Sequence, residues 1–213
     1  MANVTIQPNP MKNASRSREM TQAIAYGGMA IALSTVLSLI SVWPMPQGGG
    51  VTPASMFPLI LVALIFGPRW GFITGATYGM VQLLINPFAV HPIQVLLDYP
   101  VAFAMVGLAG LFTIGYRRKL TGTEFLQRIP AIPLFAPICG TLVVMVARFA
   151  AHYVSGAVFF GSYAQAGQSV WIYSLIYNAS YMVPEAIVHT FAAILLTLLI
   201  GALRLAGRPA RPS

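Results

Sequence analysis

Six apolar runs divide this chain, at about 20–42, 54–67, 70–85, 95–116, 129–151 and 179–203. A chain so divided has to satisfy its own backbone hydrogen bonds wherever hydrocarbon surrounds it, which restricts it to helices or a closed barrel. Four of the runs reach the roughly 20 residues that cross a bilayer as a helix. The second and third are shorter and are separated only by Gly67-Pro68-Arg69, so they read either as a hairpin of short spanning helices or as a re-entrant pair. The basic residues favour the hairpin. With the N terminus in the cytoplasm and six spans, Lys12, Arg16, Arg18, Arg69, Arg117, Arg118, Lys119, Arg128, Arg204, Arg208 and Arg211 all fall inside, and only Arg148 of the twelve lies toward the outside. A re-entrant pair would leave Arg69 outside and spoil that order. The expected fold is therefore an all-α polytopic membrane protein with six transmembrane helices and both termini cytoplasmic. Residues 1–18 and 207–213 are expected to be cytoplasmic tails around a membrane domain at 19–206.

Composition agrees. Only 8% of residues are charged, against roughly 25% in an average soluble domain. The net charge of +8 punctuates apolar runs instead of forming a stripe, which argues against nucleic-acid binding. The single Cys139 excludes an intramolecular disulfide framework and a four-cysteine metal site. The first eighteen residues lack the apolar core and small-residue cleavage site of a signal peptide, so targeting is expected from the first membrane helix.

The external side would carry three connections, 43–53, 86–94 and 152–178. The longest is uncharged and rich in aromatic and amide side chains, as suits either an interfacial belt or a cover over a ligand. Its first part, 153–160, is apolar enough to continue the fifth helix. The chain has only four acids. Glu19 and Glu124 have ordinary surface or helix-end explanations, whereas Asp98 lies four residues inside an apolar run, where a lone carboxylate is expensive. Arg148 and His152 are four apart and share a helix face. Tyr173, Tyr177, Asn178, Tyr181 and Glu185 recur at helix-like intervals on the last segment, and Phe88 and Trp43 sit in the other two external connections. Three readings of this convergence stay open: an Asp98–Arg148 ion pair that holds helices together, a small-molecule pocket for a flat cationic ligand, and an ion or proton path. Glu185, just after Pro184, also suits a helix cap.

Catalytic patterns are absent. There is no HExxH, GxSxG, P-loop or paired CxxC, and His91, His152 and His189 are far apart in sequence, so no enzyme activity and no metal site are expected. Without a nucleotide site, uphill transport would need energy from another chain. The first helix places Ala23, Gly27 and Ala30 or Ile31 near one face and Ala25, Gly28 and Ala32 on another. Small residues permit close helix approach, either inside the fold or to a membrane partner.

These stretches together resemble a known family, the thiamine-specific substrate-binding (S) component of bacterial energy-coupling-factor (ECF) transporters, over about residues 20–203. The most specific parts are "HPIQVLLDYPVAFAMVGLAGLF" (91–112) and "HYVSGAVFFGSYA…VWIYSLIYNASYMVPE" (152–185), with "GPRWGFITGATYG" (67–79) in support. The resemblance implies six helices in the cell membrane, a thiamine pocket near the outer face covered by the connection after the first helix, and no cofactor. It assigns ligand contacts to Asp98, Tyr99, His152, Tyr173 and Asn178. It also places Phe160 where relatives tend to carry tryptophan, so an aromatic platform is kept and an indole donor lost. Implied partners are a transmembrane coupling protein and two cytoplasmic ATPase subunits, joined through the face of Ala23, Gly27, Ala30 and Ile31. The alternative of another class is a self-contained ion-coupled transporter of a small cationic or heteroaromatic solute.

Overall fold

The computed structural model describes residues 10–116, 120 and 124–207. Arg117, Arg118, Lys119, Arg208 and Arg211, half of the first expected tail and most of the second lie outside the described residues. The chain begins with α1 (Pro10–Leu39), followed by a two-stranded antiparallel ribbon, β1 (Trp43–Pro44) and β2 (Gly50–Val51). Next come α2 (Phe57–Phe66) and α3 (Pro68–Ile85). A fourth helical rod, Pro92–Tyr116, is composite. It runs as α4 (Pro92–Leu96), a π-helical turn (Leu97–Val101), α5 (Ala102–Ala104) and a 3₁₀ helix (Met105–Tyr116). After the short α6 (Phe125–Arg128) come the long α7 (Ala136–Phe159) and α8 (Val170–Ala206).

Among the described residues, four helices are long and apolar enough to cross a membrane: Ala14–Leu39, Pro92–Tyr116, Ala136–Phe159 and Val170–Ala206. Their large outward-facing side chains include Ile24, Met29, Val146, Phe191 and Leu198, each more than half exposed, an arrangement suited to lipid. The protein is a polytopic, multi-pass membrane protein. At a rise of 1.5 Å per residue, α2 is about 15 Å long, half of a ~30 Å hydrocarbon core. It is apolar on every side and nearly all buried, as expected of a helix sheathed by its neighbours. At about 55 Å, α8 is much longer than the core is thick.

A glycine ladder sets the packing around the fourth rod. Gly71, Gly75 and Gly79 recur every four residues, so they share one face of α3. A Cβ added at Gly71 would lie 2.7 Å from Gly107 Cα, and one at Gly75 or Gly79 would run into the backbone of Phe103 or Tyr99. The two segments therefore meet backbone to backbone. Gly107 and Gly110 answer from the 3₁₀ side, against Phe72 and against the Gly67-Pro68 joint. Their spacing of three matches the three-residue turn of a 3₁₀ helix.

The π-helical turn follows from Pro100. Proline has no N–H to give to the carbonyl four residues back, and the ladder is taken up instead by the Ala102 N–H reaching back to Leu97 O. The wider turn presents Asp98 and Tyr99.

Several boundaries differ from those expected. The fifth rod is Ala136–Phe159 instead of 129–151, and the last helix already starts at Val170, so most of 152–178 is helix and only about ten residues form a connection. Glu185 thus lies well inside α8 and caps nothing. The α1 face of Ala23, Gly27, Ala30 and Ile31 is turned inward: Ala23 and Ala30 belong to the core, Ile31 packs against it, and a Cβ at Gly27 would meet Thr74 Oγ1 at 3.1 Å. Internal packing uses up the face expected to dock a partner. The other small face, Ala25, Gly28 and Ala32, is the exposed one.

Below the core, at the end opposite the site, α6 clasps α1. Arg18 pairs with Glu124, Arg128 donates to Gln22 Oε1, and Tyr26 stacks on Phe125 with ring centroids 4.0 Å apart. The buried Arg128 guanidinium also lies 5.1 Å from the Phe66 ring centroid.

Candidate functional site

At the other end, α1, α3, the π-helical turn, α7 and α8 surround a cavity of about 230 Å³, roofed by the ribbon and its flanks. Asp98 lines it. The carboxylate accepts from Gln94 Nε2 at 2.7 Å and Ser155 Oγ at 2.9 Å on one oxygen, and faces His152 Nδ1 at 2.9 Å on the other. Asp98 and His152 are mostly buried, at 16% and 12% exposed. Three donors are what make a carboxylate tolerable there. Because the carboxylate engages Nδ1, the neutral form of the ring has its proton on that nitrogen and Nε2 as an acceptor. His152 Nε2 is buried with no hydrogen-bond partner among the described residues.

The Asp98–Arg148 pair, one of the three readings open in the sequence, does not form. Arg148 donates instead to Glu185 Oε2 at 2.7 Å, with the two side chains 7% and 2% exposed, and its guanidinium sits 4.8 Å from the Phe103 ring centroid. One turn before His152 on α7, Arg148 faces α8, which brings Glu185 to it and leaves Asp98 to the histidine. Thr52 Oγ1 also reaches Glu185, at 3.3 Å. Beneath, His189 Nε2 accepts from the Met56 N–H at 3.1 Å and its Nδ1 contacts Glu185 O at 2.8 Å, so this histidine ties the end of the ribbon segment to α8.

Two tyrosines play matching parts. Tyr177 Oη accepts from Gln47 N at 2.9 Å and donates to Gly48 O at 3.1 Å. Tyr99 Oη accepts from Phe88 N and donates to Asn86 O, both at 2.8 Å. Each phenol is inserted into the backbone of one connection and pins it over the cavity. The roof can lie this close because Gly48 and Gly49 have φ of +83° and +84°, which side-chain-bearing residues rarely adopt, and a Cβ at Gly49 would strike the Tyr181 ring at 2.7 Å.

Phe88 and Phe160 stack with centroids 5.7 Å apart, and Tyr173 stands 5.9 Å from Tyr177. Asn178 Nδ2 is held by Ser174 O at 2.9 Å, while its Oδ1 accepts from Tyr181 Oη at 3.0 Å. Gly156 permits this close approach of α8 to α7, since a Cβ there would meet Asn178 Nδ2 at 3.0 Å.

Of the residues singled out in the sequence, Asp98, Tyr99, His152, Phe160, Tyr173 and Asn178 all line this one cavity, as do Phe88, Arg148, Tyr177, Tyr181 and Glu185. Trp43 does not. It opens β1 in the roof and is 59% exposed, away from the lining. Sequence reasoning missed Gln94, Tyr78, Gln82 and Ser38, which also line it, and Ser155. Gln94 and Ser155 carried a usable signal, being one helical turn from Asp98 and three residues from His152. Among the described residues, no group of three or more His, Cys, Asp or Glu side chains could hold a metal ion.

A family described as thiamine transporter protein (Thia_YuaJ) matches residues 24–205. The thiamine transporter ThiT of Bacillus subtilis (strain 168) is 42% identical over 188 residues, covering 87% of this chain and 93% of the relative. The thiamine transporter ThiT of Lacticaseibacillus paracasei is 28% identical over 142 residues, covering 63% and 68%. Among solved structures, ThiT from Listeria monocytogenes superimposes with a TM-score of 0.67 over 88% of this chain and 97% of that one, at 21% identity, and so shares the fold.

Proposed function

Because this chain belongs to the thiamine transporter (Thia_YuaJ) family, we propose that its cavity is a thiamine site and that the chain is the thiamine-binding membrane subunit of an ECF-type uptake transporter. It binds and carries; it is not an enzyme. The observation that carries the reading is the charge and shape of the cavity. Arg148 and Glu185 pair with each other, which leaves the Asp98 carboxylate, facing His152, as the acid of the lining that no arginine or lysine answers. A carboxylate among aromatic walls is the complement of a flat monocation. Thiamine is such a cation, and its aminopyrimidine offers N–H donors as well.

On this reading Asp98 answers the charge or the amino group, His152 Nε2 is left to accept from the ligand, and Asn178 supplies an amide edge. Phe160 and Phe88 give ring faces, Tyr173 gives a face and a hydroxyl, and Tyr99 and Tyr177 hold the roof. Arg148, Glu185 and Tyr181 form the inner wall. The membrane topology proposed with it has six spans over 19–206, with α2 and α3 as a short spanning hairpin, the site near the outer face and both termini cytoplasmic. A transmembrane coupling protein and two cytoplasmic ATPase subunits complete the transporter. Their docking would use the exposed Ala25, Gly28 and Ala32 face of α1 in place of the buried one.

Equilibrium titration of the detergent-purified protein with thiamine by calorimetry, with thiamine phosphate and the free pyrimidine as competitors, tests the reading. Saturable submicromolar binding is the expected result. Absence of binding in a sample that is monodisperse and melts cooperatively would overturn it.

A further inference from the structure

Gln94 is 1% exposed and all of its polar atoms are engaged. One amide hydrogen goes to Asp98 Oδ2 at 2.7 Å, the other to Phe88 O at 3.1 Å, and Oε1 accepts from Val90 N at 3.1 Å. Such an amide cannot turn without stranding buried groups, each at the cost of its desolvation. Phe88 is in turn fixed from its other side by Tyr99, stacked on Phe160, and set beneath the roof: a Cβ placed on Gly48 would lie 3.6 Å from Phe88 Cβ.

We infer that Gln94 is a positioning residue that sets the carboxylate of Asp98 and the aromatic platform of Phe88 with one amide, so that the two halves of the site hold their places together. The inference rests on the thiamine reading of the cavity and adds to it a residue outside the ligand contacts. A ligand that draws on Asp98 draws through Gln94 on Phe88, and through Phe88 on the tip of the roof.

The test is a set of double-mutant cycles on the full-length protein in detergent, read as thiamine Kd by calorimetry. Gln94→Leu is made alone, with Asp98→Asn and with Phe88→Ala. If Gln94 acts through both residues, the substitution weakens binding at least about tenfold in the wild type and no more than about threefold in either partner background, because coupled sites are not additive. The same fold-loss in all three backgrounds, or no loss, overturns the inference. Gln94→Glu keeps the chain length and the acceptor for Val90 while removing both donated hydrogens, and serves where the leucine variant fails to fold. Hydrogen exchange of the ligand-free protein over 86–90 tests the positioning role without thiamine. Faster exchange at the Phe88 amide, which Tyr99 and not Gln94 binds directly, is expected in either variant, and unchanged exchange there refutes the positioning role. Should the wild type not bind thiamine, the functional reading fails, and the exchange measurement still decides the role of Gln94.

Discussion

Replacing Asp98 with asparagine preserves shape and removes the charge, but the neighbours make the change larger than that. One oxygen of Asp98 already receives two donors, Gln94 Nε2 and Ser155 Oγ, so the new NH₂ group cannot sit there without facing both. It must take the other position, opposite His152 Nδ1. The imidazole then has to accept at Nδ1 and carry its proton on Nε2, which turns an acceptor in the cavity into a donor. The variant therefore loses the charged partner of the ligand and presents the wrong histidine tautomer. A charge-assisted hydrogen bond contributes about 1.5–3 kcal/mol, which corresponds to a Kd weaker by about 10- to 150-fold. Calorimetry with thiamine, beside the neutral aminopyrimidine fragment, separates the components: the fragment should lose less, since it has no fixed positive charge to leave unanswered. A folded Asp98→Asn protein that binds thiamine within twofold of wild type would refute the reasoning.

Removing the hydroxyl in Tyr177→Phe deletes both bonds to the roof at Gln47 and Gly48. At about 1 kcal/mol net for a hydrogen bond, thiamine dissociation measured by stopped-flow or radioligand chase should speed up about fivefold or more, with the association rate nearly unchanged. Gly79→Ala places a methyl against the Tyr99 backbone and should lower both the melting temperature and thiamine affinity; an unchanged affinity would mean that the rod can shift without moving Asp98. Gly27→Leu should reduce folded yield and isolated binding together, because its Cβ meets Thr74, whereas Gly28→Leu enters open space and should leave isolated binding intact while impairing uptake by the reconstituted complex. Equal behaviour of the two glycine variants in both assays would count against the inward and outward assignment of the α1 faces.

The helical character of the chain was legible because hydrocarbon leaves little choice, and the aromatic and acidic residues of the cavity were legible because an ionisable group in an apolar run needs a reason. Pairing was not. Arg148, Asp98 and Glu185 are compatible with more than one ion pair in sequence, and the answer depends on which face of α7 meets α8, a matter of helix rotation that spacing within one helix cannot express. The two α1 faces were recognised as rivals for the same reason, and their small residues are alike; only Thr74 on a neighbouring helix distinguishes Gly27 from Gly28. The reach of α7 to Phe159 was legible in the apolar stretch 153–160, whereas the early start of α8 was hidden by composition, because the polar and aromatic residues of 160–178 look like a loop while those from Val170 onward lie on a helix whose polar side faces the cavity. Gln94 was overlooked because, although it stands one helical turn from Asp98, an uncharged amide has no charge of its own that demands a partner.

The glycine ladder of α3 has a consequence for how such a site can change over time. Where two helices are spaced by side chains, drift can widen or narrow the gap by a methylene at a time, and a pocket can be retuned gradually. Here the spacer has been reduced to hydrogen atoms at Gly71, Gly75 and Gly79, so no smaller step remains and every step outward is a whole Cβ against main chain. The depth of Asp98 is thereby locked, while the aromatic walls and the roof stay open to substitution. Descendants of this chain are free to alter what the cavity prefers by repainting its walls, but any move of its charge requires rebuilding the rod that carries it.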